Sequence, residues 1–392
     1  MTELNLKGIT LKFRLLVSAL LLVIGLSTQV TAIETKAKSA LVLDFNSGVV
    51  LFEKNADESR PPASMSKLMT LFMVFEALED GRLTLDERLP VSEFAMSYGG
   101  STMFLNTRDK VRVEDLVRGI IVLSGNDACV VLAEALAGSE AEFARAMTAR
   151  AQKMGMTQST FGNSNGWPHP NQRMSARDLV ILAETLIRDF PEFYNYFSER
   201  EFAFDGRSPA NKNNRNPLLK LDIGADGLKT GHTTEAGYGV VGSAKKNGRR
   251  IVLMISGLES EADRAREAEK LVNWAFRQFI EKKILETGEK VGSIEIWLGK
   301  ERSVDLEVEN DLTLLLPVGV GDILSARIET RSPIEAPVEK GQKLGTLIIE
   351  VPGMPDTELP VLAAVSVERS GLLSKFKLSA SVLMKSLSDV IN

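Results

Sequence analysis

The chain has 392 residues, of which 44% are hydrophobic and 25% charged. This is the composition of a folded protein with room for two or three domains. The formal net charge is −5, so the surface is not of the basic kind that binds nucleic acid. The single cysteine, Cys129, allows no disulfide within the chain, and the two histidines lie far apart in sequence. We therefore expect no metal and no cofactor.

The first 32 residues have the features of an export signal. Three basic residues precede an apolar run at 15–26, and small residues follow up to Ala32. The run is shorter than the roughly 20 residues that a membrane-spanning helix needs. We predict a signal peptide at 1–32 that is cleaved after Ala32. Its removal takes away three basic residues and one acidic residue, which brings the formal charge to −7.

A hairpin and a buried helix are predicted next. The segment 40–58, ALVLDFNSGVVLFEKNADE, alternates two β-prone runs around Asn46-Ser47-Gly48 and predicts a β-hairpin. Residues 64–80 are apolar on nearly every side, and Gly81 follows them. A helix of that kind belongs inside a domain.

The region up to residue 282 continues with helices and then strands. The patterns predict helices at about 113–123, 126–137, 140–154, 175–189 and 262–282. Strands are predicted at 238–245 and 250–258, joined by the turn Asn247-Gly248. Strands, then a helical block, then strands again indicate an α+β domain whose sheet is assembled from both ends of the segment.

After Glu286 the sequence changes to short apolar runs punctuated by Gly and Pro. This pattern predicts a small all-β domain, a sandwich or barrel. It contains no dense cluster of catalytic residue types, so we expect a spacer or docking module. The predicted division of the chain is a signal peptide at 1–32, a catalytic domain at 33–285, a β-rich domain at 286–370 and a tail at 371–392.

The tail, GLLSKFKLSASVLMKSLSDVIN, places its apolar residues at steps of three and four, which indicates one apolar face of a helix. Its other face carries three lysines, and the net charge of 371–392 is +2. A helix docked on the body would explain the apolar face. We favour an amphipathic helix lying on an anionic membrane, because the charge complements such a surface. Polar residues interrupt the tail too often for it to span a bilayer.

The spacing Ser-x-x-Lys occurs three times, at Ser64/Lys67, Ser243/Lys246 and Ser374/Lys377. The second pair ends a predicted strand, where alternation turns the two side chains to opposite faces. The third lies on the polar face of the tail, where water keeps the lysine protonated. Only the first pair heads a buried helix. There positions i and i+3 share a face, and apolar surroundings lower the pKa of a lysine.

Two interpretations of Ser64 and Lys67 follow. Ser64 or Ser66 can simply cap the helix, which is the commoner use of serine at such a position. Alternatively, neutral Lys67 is the base that activates Ser64 as a nucleophile. In that case the backbone N–H of Ser64, at the helix N-terminus, serves a developing oxyanion, and the stiff Pro61-Pro62 suits a fixed nucleophile. Taken alone, the spacing favours the cap.

Two unique triplets shift this balance. Ser124-Gly125-Asn126 is the only Ser-x-Asn in the chain and lies between two predicted helices, while Lys229-Thr230-Gly231 is the only Lys-Thr-Gly and precedes the strands from Gly237. Each alone favours a helix cap or a solvated turn. Together, in this order and behind a signal peptide, they favour a catalytic serine.

With these motifs the chain resembles the serine penicillin-binding proteins and β-lactamases. Within that group it is most similar to the low-molecular-mass D-alanyl-D-alanine carboxypeptidases of the peptidase S11 family. The supporting stretches are GGSTMFL at 99–105, LVRGIIVLSGNDA at 116–128, MSARDL at 174–179, NNRNPLL at 213–219 and DGLKTGHT at 226–233. The resemblance covers about 35–370, extends to the group's membrane anchor at the tail, and implies a β-lactamase/transpeptidase-like α+β catalytic domain.

The resemblance implies a role for each motif residue. Ser64 resembles the acylated nucleophile and Lys67 its general base. Ser124 would relay a proton to the leaving amine, and Asn126 would hold the substrate amide. Lys229 would supply positive potential.

The remaining implied roles concern substrate binding. Thr230 and Arg215 would bind the substrate's terminal carboxylate, although Pro217 beside Arg215 departs from the family pattern. The backbone N–H of His232, next to Gly231, would complete the oxyanion hole with that of Ser64.

The implied function is removal of the terminal D-alanine from peptidoglycan pentapeptide stems through an acyl-enzyme, with penicillins as covalent inhibitors. The implied location is the periplasm, with peripheral attachment to the inner membrane through the C-terminal helix. Three alternatives stay open: an endopeptidase that cuts D-alanine cross-links, a β-lactamase, and a non-catalytic cell-wall binding protein. The Glu-x-x-Leu-Asn pattern that class A β-lactamases use for deacylation is absent, because Leu105-Asn106 lacks the glutamate.

Overall fold

The computed structural model describes residues 33–207, 211–319, 324–331 and 333–371. The predicted signal peptide, and all of the predicted tail helix except Gly371, lie outside these residues, so both stay predictions. Within the described ranges, no helix combines the length and apolar character needed to cross a membrane.

The regular elements follow the predicted succession of strands, helices and strands. The strands are β1 (Ser39–Asp44), β2 (Val49–Lys54), β3 (Arg88–Pro90), β4 (Lys110–Arg112), β5 (Ala225–Thr233), β6 (Gly237–Lys246), β7 (Arg249–Leu258), β8 (Phe279–Leu285), β9 (Lys290–Trp297), β10 (Ser303–Val308), β11 (Leu312–Pro317), β12 (Ser325–Thr330), β13 (Ile334–Glu335), β14 (Lys343–Glu350) and β15 (Thr357–Ala363). The α-helices are α1 (Lys67–Glu79), α2 (Glu93–Met96), α3 (Val113–Arg118), α4 (Asn126–Ala137), α5 (Glu140–Lys153), α6 (Ala176–Asp189), α7 (Pro191–Tyr194) and α8 (Glu261–Gln278).

The central sheet has the order β2-β1-β7-β6-β5 among the described strands. All its neighbours are antiparallel, and β1 pairs with β7 from the far end of the segment. The prediction of a sheet assembled from both ends is therefore confirmed. The predicted turn between β6 and β7 is also present, with positive φ at Asn247 and Gly248, the conformation that two-residue hairpin loops favour.

The helical block confirms most of the predicted helices and corrects two. Helices α4, α5 and α6 agree with the predictions to within one residue at either end. The helix predicted at 113–123 is α-helical only to Arg118 and continues as a π-helix at Gly119–Leu123. The helix predicted at 262–282 ends at Gln278, because Phe279 is extended and begins β8.

Helix α1 is buried inside the domain, as its apolar surface predicts. It contacts α4, α5 and α6, and its Phe72 packs edge-to-face on Phe190 at 5.4 Å between ring centroids. Phe75 stacks on Phe193 at 5.0 Å. A helix surrounded in this way is held rigidly by close packing, so its first turn offers a fixed position for Lys67.

The C-terminal part of the described chain is all β-strand, as predicted. Strands β8 and β11 pair, and the remaining strands form a sheet in the order β12-β14-β15-β10-β9-β13 within the described residues. Its buried residues, such as Leu306, Leu347 and Val361, form a core cluster separate from that of the helical block. Strand β8 precedes residue 286 and pairs with β11, so it belongs to this β-rich part.

Candidate active site

Ser64 lies in a 3-10 turn, Ala63–Ser66, directly before α1. Ala63 has a φ of 50°, a backbone conformation that costs free energy and is typical of functional sites. The Ser66 hydroxyl donates to the Ala63 carbonyl over 3.0 Å, and the cap position of α1 has no side-chain hydrogen bond. Ser64 Oγ instead accepts from Lys67 Nζ at 2.9 Å. The helix-cap interpretation is therefore wrong.

Lys67 is fully buried and occupies the first position of α1. Its Nζ donates to Ser64 Oγ at 2.9 Å, to Asn126 Oδ1 at 2.7 Å and to the Asn165 carbonyl at 2.5 Å. Burial lowers the pKa of Lys67 to about 8, and the positive charge of Arg215 adds to the effect. Near pH 7, Lys67 is therefore unprotonated in part of the molecules, and there its amine can take the Ser64 proton.

The triplet Ser124-Gly125-Asn126 lies where the π-helix Gly119–Leu123 meets α4. Ser124 is buried and has a φ of 63°, and π-helical segments and strained residues both concentrate at functional sites. Besides holding Lys67, Asn126 donates from Nδ2 to the Gly99 carbonyl at 2.8 Å. Its backbone N–H donates to the Ser101 carbonyl at 2.8 Å. Asn126 therefore links the lysine to the loop 99–101, a positioning contact that the sequence did not predict.

Lys229, Thr230 and Gly231 lie within β5 at the edge of the central sheet. Both polar side chains are buried, Lys229 being 3% and Thr230 6% exposed, so the solvated-turn alternative is wrong. A Cβ added at Gly231 would lie 2.9 Å from the Pro62 carbonyl oxygen. Glycine thus allows β5 to approach the turn that carries the serine.

The Lys229 side chain is a desolvated amine. Burial lowers its pKa well below the usual range, and the charges of Arg215 and Lys67 lower it further. Its Nζ donates to the Thr230 carbonyl over a long 3.4 Å. An anionic ligand group placed beside Lys229 would stabilise the protonated form, because an opposite charge favours ionisation.

Arg215 and His232 lie at the rim of the site. One guanidinium nitrogen of Arg215 donates to Ser101 Oγ at 3.0 Å and to the Leu123 carbonyl at 2.7 Å, which brings the cation next to the Ser124 triplet. His232 is exposed on β5 and stacks on Tyr238 at 3.9 Å between centroids. Pro217, beside Arg215, starts a 3-10 turn at Pro217–Lys220, where its fixed φ is favourable.

A cleft of about 530 Å³ opens over the serine. It is lined by Ser64, Gly100, Ser101, Asn126, Asn165, Gly166, Trp167, Pro168, His232, Thr233, Thr234 and Glu235. This volume suits a small-molecule or peptide ligand. A second depression, of about 620 Å³, lies beside β12 and β14, but its lining includes no serine–lysine pair.

Sequence reasoning missed the segment 163–168, which supplies the Asn165 carbonyl and the exposed ring of Trp167. Its signal was the long stretch rich in Asn, Gly and Pro between α5 and α6, since functional residues concentrate on loops held by a rigid scaffold. The role of an individual backbone carbonyl in that loop leaves no trace in residue type.

The site combines three features: a serine hydroxyl hydrogen-bonded to a buried lysine, a Ser-x-Asn triplet beside that lysine, and a Lys-Thr-Gly triplet in a buried strand. This combination defines a serine acyl-transfer enzyme of the penicillin-binding class. Residues 26–259 match the D-alanyl-D-alanine carboxypeptidase family, peptidase S11, and residues 279–369 match the penicillin-binding protein 5 C-terminal domain. The chain belongs to the D-alanyl-D-alanine carboxypeptidase family.

Individual relatives agree with this assignment. The chain is 35% identical over 355 residues to D-alanyl-D-alanine carboxypeptidase DacC of Escherichia coli, covering 88% of each protein. Its structure is similar to penicillin binding protein 5 from Haemophilus influenzae, with a TM-score of 0.72, 34% identity, and coverage of 87% of this chain and 100% of the other. It is also similar to ampicillin-bound penicillin-binding protein D2 from Listeria monocytogenes, with a TM-score of 0.57, 32% identity, and coverage of 63% and 99%.

The predicted catalytic and all-β domains and the predicted carboxypeptidase activity are thereby confirmed. The chain has the penicillin-binding protein fold, with a catalytic domain of helices plus sheet followed by an all-β domain. It is a serine-type D-alanyl-D-alanine carboxypeptidase, a hydrolase.

Proposed function

We propose that Ser64 is the nucleophile of this carboxypeptidase and that the reaction passes through an acyl-enzyme on its Oγ. The observation that supports this role is the 2.9 Å contact between Nζ of the fully buried Lys67 and Oγ of Ser64, which lines the cleft. Neutral Lys67 takes the hydroxyl proton while Oγ attacks the carbonyl carbon of the penultimate D-alanine. The new C–O bond forms, the C–N bond breaks, and the terminal D-alanine leaves.

The surrounding groups stabilise the tetrahedral intermediate, transfer the proton to the leaving amine and hold the substrate. The backbone N–H groups of Ser64 and His232 donate to the oxyanion of the tetrahedral intermediate. Ser124 relays the proton to the leaving amine, and Asn126 holds the substrate amide while it positions Lys67. Water then hydrolyses the ester and restores the free Ser64 hydroxyl.

The carboxylate of the terminal D-alanine binds at the end of the cleft where Arg215 contacts the lining residue Ser101. Lys229 and Arg215 supply positive charge, Thr230 supplies a hydroxyl donor, and Gly231 keeps the strand close to the serine turn. Charge-assisted hydrogen bonds of this kind are about twice as strong as neutral ones. An enzyme that removes a C-terminal residue needs such a site, because the carboxylate distinguishes a chain end from a chain interior.

The substrate that we propose is the pentapeptide stem of peptidoglycan, with β-lactams as covalent inhibitors that acylate the same serine. The resemblance to an ampicillin-bound protein supports the second part. The location that we propose is the periplasm, reached through the signal peptide at 1–32, with the tail at 371–392 attaching the enzyme to the inner membrane.

The proposed domain division keeps a catalytic domain that begins at 33 and a β-rich domain that ends at 370. The pairing of β8 with β11 and the family match from residue 279 favour a boundary at 279 rather than at 286. The β-rich domain then serves as a spacer or docking module between the catalytic domain and the membrane.

Arg215→Ala is expected to reduce kcat/KM for diacetyl-Lys-D-Ala-D-Ala by about 10- to 100-fold, the loss that removal of a charge-assisted hydrogen bond brings. The same peptide with a C-terminal amide should be affected much less, since it has no carboxylate for Arg215 to bind. Steady-state release of the terminal residue measures both. Arg200→Ala, an exposed arginine, is the matched control, and equal losses on the two peptides would exclude the carboxylate role.

The decisive test of the proposed nucleophile is mass spectrometry of the full chain after benzylpenicillin treatment. The intact protein should gain one penicilloyl mass, and the modified peptide should carry it on Ser64. Ser64→Ala should gain none. An adduct on any other residue would exclude Ser64 as the nucleophile.

The lifetime of this adduct separates the carboxypeptidase from a β-lactamase. A persistent adduct together with release of D-alanine from the tripeptide agrees with the proposal. Rapid turnover of the adduct would indicate a β-lactamase. Absence of both adduct and release would indicate a non-catalytic binding protein, and release from cross-linked dimers alone would indicate an endopeptidase.

A further inference from the structure

Glu140, the first residue of α5, has its carboxylate buried against the loop 163–166. The residue is 7% exposed. Its Oε1 accepts from the Ser164 backbone N–H at 3.1 Å, from the Ser164 hydroxyl at 2.6 Å and from Asn165 Nδ2 at 3.3 Å. Its Oε2 accepts from the Tyr98 hydroxyl at 2.5 Å. A buried carboxylate with four such donors holds its neighbours firmly.

The loop that Glu140 holds is the one that orients Lys67. The Asn165 carbonyl accepts from Lys67 Nζ at 2.5 Å, and the Ser164 carbonyl accepts from the Thr70 hydroxyl at 2.5 Å. Lys67 and Thr70 are three residues apart on α1 and so lie on one face of the helix. The Ser164–Asn165 backbone is therefore clamped between α1 on one side and Glu140 on the other.

Close packing of the neighbouring glycine reinforces this clamp. Gly166 has a φ of 82°, and a Cβ placed on it would lie 2.0 Å from the carbonyl oxygen of Ala63. The segment that follows Asn165 thus runs directly against the turn that carries Ser64. A small displacement of this segment would change the geometry of both members of the serine–lysine pair.

Glu140 also reaches a second acceptor of Lys67, through Tyr98. Tyr98 is followed by Gly99, whose carbonyl accepts from Asn126 Nδ2 at 2.8 Å. Asn126 Oδ1 in turn accepts from Lys67 Nζ at 2.7 Å. Two of the three acceptors around the ammonium group are thus connected to the Glu140 carboxylate. The third is the Ser64 hydroxyl itself.

We propose that Glu140 is a positioning residue for acylation, whose carboxylate fixes the acceptors that hold Lys67 Nζ against Ser64 Oγ. The proposal rests on the role of Lys67 as the base of the reaction. Glu140 does not touch the substrate, and it acts through the Ser164–Asn165 backbone and through Tyr98.

The negative charge of Glu140 also affects the pKa of Lys67, and this effect can be measured separately from the rate. The charged or titratable groups that interact with Lys67 are Asp127 and Cys129 from α4, Glu140 from α5, Arg215 from the loop before the 3-10 turn at Pro217–Lys220, and Lys229 from β5. Burial lowers the pKa of Lys67 to about 8, while the charge of Glu140 opposes the decrease. Loss of that charge lowers the pKa of Lys67 further, so the neutral base forms at lower pH.

The experiment measures the second-order rate of acylation of the full chain by benzylpenicillin between about pH 5.5 and pH 10. Glu140→Gln keeps the shape and removes the charge, Glu140→Ala removes all four contacts, and Tyr98→Phe removes one. Glu142→Gln is the matched control, because Glu142 lies in the same first turn of α5 but pairs with Arg145 at the surface.

We expect Glu140→Gln to move the acid limb of the rate profile to lower pH, by a small shift because the charge of Glu140 is the weakest of those acting on Lys67. Glu140→Ala should lower the rate on the plateau about tenfold or more, because misplacement of a catalytic group by a fraction of an ångström already slows reaction. Tyr98→Phe should lower it severalfold, and Glu142→Gln should match the unmodified protein.

A purely structural Glu140 would give a lower melting temperature with an unmoved acid limb and an unchanged plateau, and this result would overturn the proposal. If Glu140→Ala does not fold, the deciding measurement is the pH position of the acid limb in the rate profile of Glu140→Gln. That profile is measured on protein with an unchanged circular dichroism spectrum. A failure of the proposal that Lys67 is the base would be a separate result. It would appear as full acylation of a Lys67→Arg variant, whatever the Glu140 variants do.

Discussion

Lys67→Arg is expected to lower the rate of acylation by benzylpenicillin about 10³-fold at pH 7.5, a loss within the range for removal of a general base. Arginine keeps the positive charge and can still donate to the acceptors around it. Its guanidinium does not lose a proton in proteins, so it cannot accept one from Ser64. The substitution thus separates the base function of Lys67 from its contribution to charge. Stopped-flow or quenched labelling with a fluorescent penicillin measures the rate.

In the unmodified enzyme, the rate of acylation should depend on pH through the protonation of Lys67. With the pKa of Lys67 at about 8, the protonated form predominates below that pH, and the neutral base increases as the pH rises. The rate of acylation should therefore fall about tenfold per unit below pH 8 and level off above it. Lys67→Arg should lose this acid limb altogether.

The second Ser-x-x-Lys spacing provides a control for this prediction. Lys246 is exposed at the end of β6, and Lys246→Arg should leave both the rate and its pH profile unchanged. A Lys67→Arg variant that retains its rate to within about threefold, or that keeps an acid limb near pH 8, would show that another group is the base.

The sequence was sufficient for the parts of the site that depend on local spacing. Ser64 and Lys67 are one turn apart at the head of a helix that is apolar on all sides, and this pattern predicts a buried amine beside a hydroxyl only when read together with the triplets at 124–126 and 229–231. The strands β6 and β7 and the turn at Asn247-Gly248 are likewise visible, because alternation and turn residues are local signals. The tightness of the 3-10 turn at Ala63–Ser66 was not visible, since the residue types there are equally those of a helix cap.

The parts that could not be predicted depend on contacts between residues distant in the chain. The Asn165 carbonyl meets Lys67 across 98 positions, and Glu140 meets Ser164 across 24. Glu140 has the position of an ordinary first-turn acid of a helix, which is favourable in itself. Only the fold places its carboxylate against the loop that contacts Lys67.

A buried ion pair distant from the cleft connects the two ends of the catalytic domain. Asp44, fully buried at the end of β1, accepts through Oδ2 from Arg249 Nε at 2.5 Å, and its Oδ1 accepts from the Ser47 hydroxyl at 2.7 Å. Arg249 also donates to the carbonyls of Ala275 at 3.2 Å and Phe279 at 2.7 Å. The pair thus ties the central sheet to the end of α8, where the chain passes into the β-rich part.

Asp44→Ala is expected to lower the free energy of unfolding by about 3–5 kcal/mol, because it leaves the guanidinium of Arg249 buried without its counter-charge. Urea unfolding of the full chain, followed by circular dichroism, measures the loss. Asp57→Ala breaks an exposed pair with Arg177 and should cost at most about 1 kcal/mol. Asp44→Ala combined with Arg249→Met should recover part of the loss, since no unpaired charge is then buried. Equal losses of unfolding free energy for Asp44→Ala and Asp57→Ala would show that the Asp44–Arg249 pair does not stabilise the junction. The expected difference would show that the size of the loss depends on the burial of the pair, because both variants break a salt bridge.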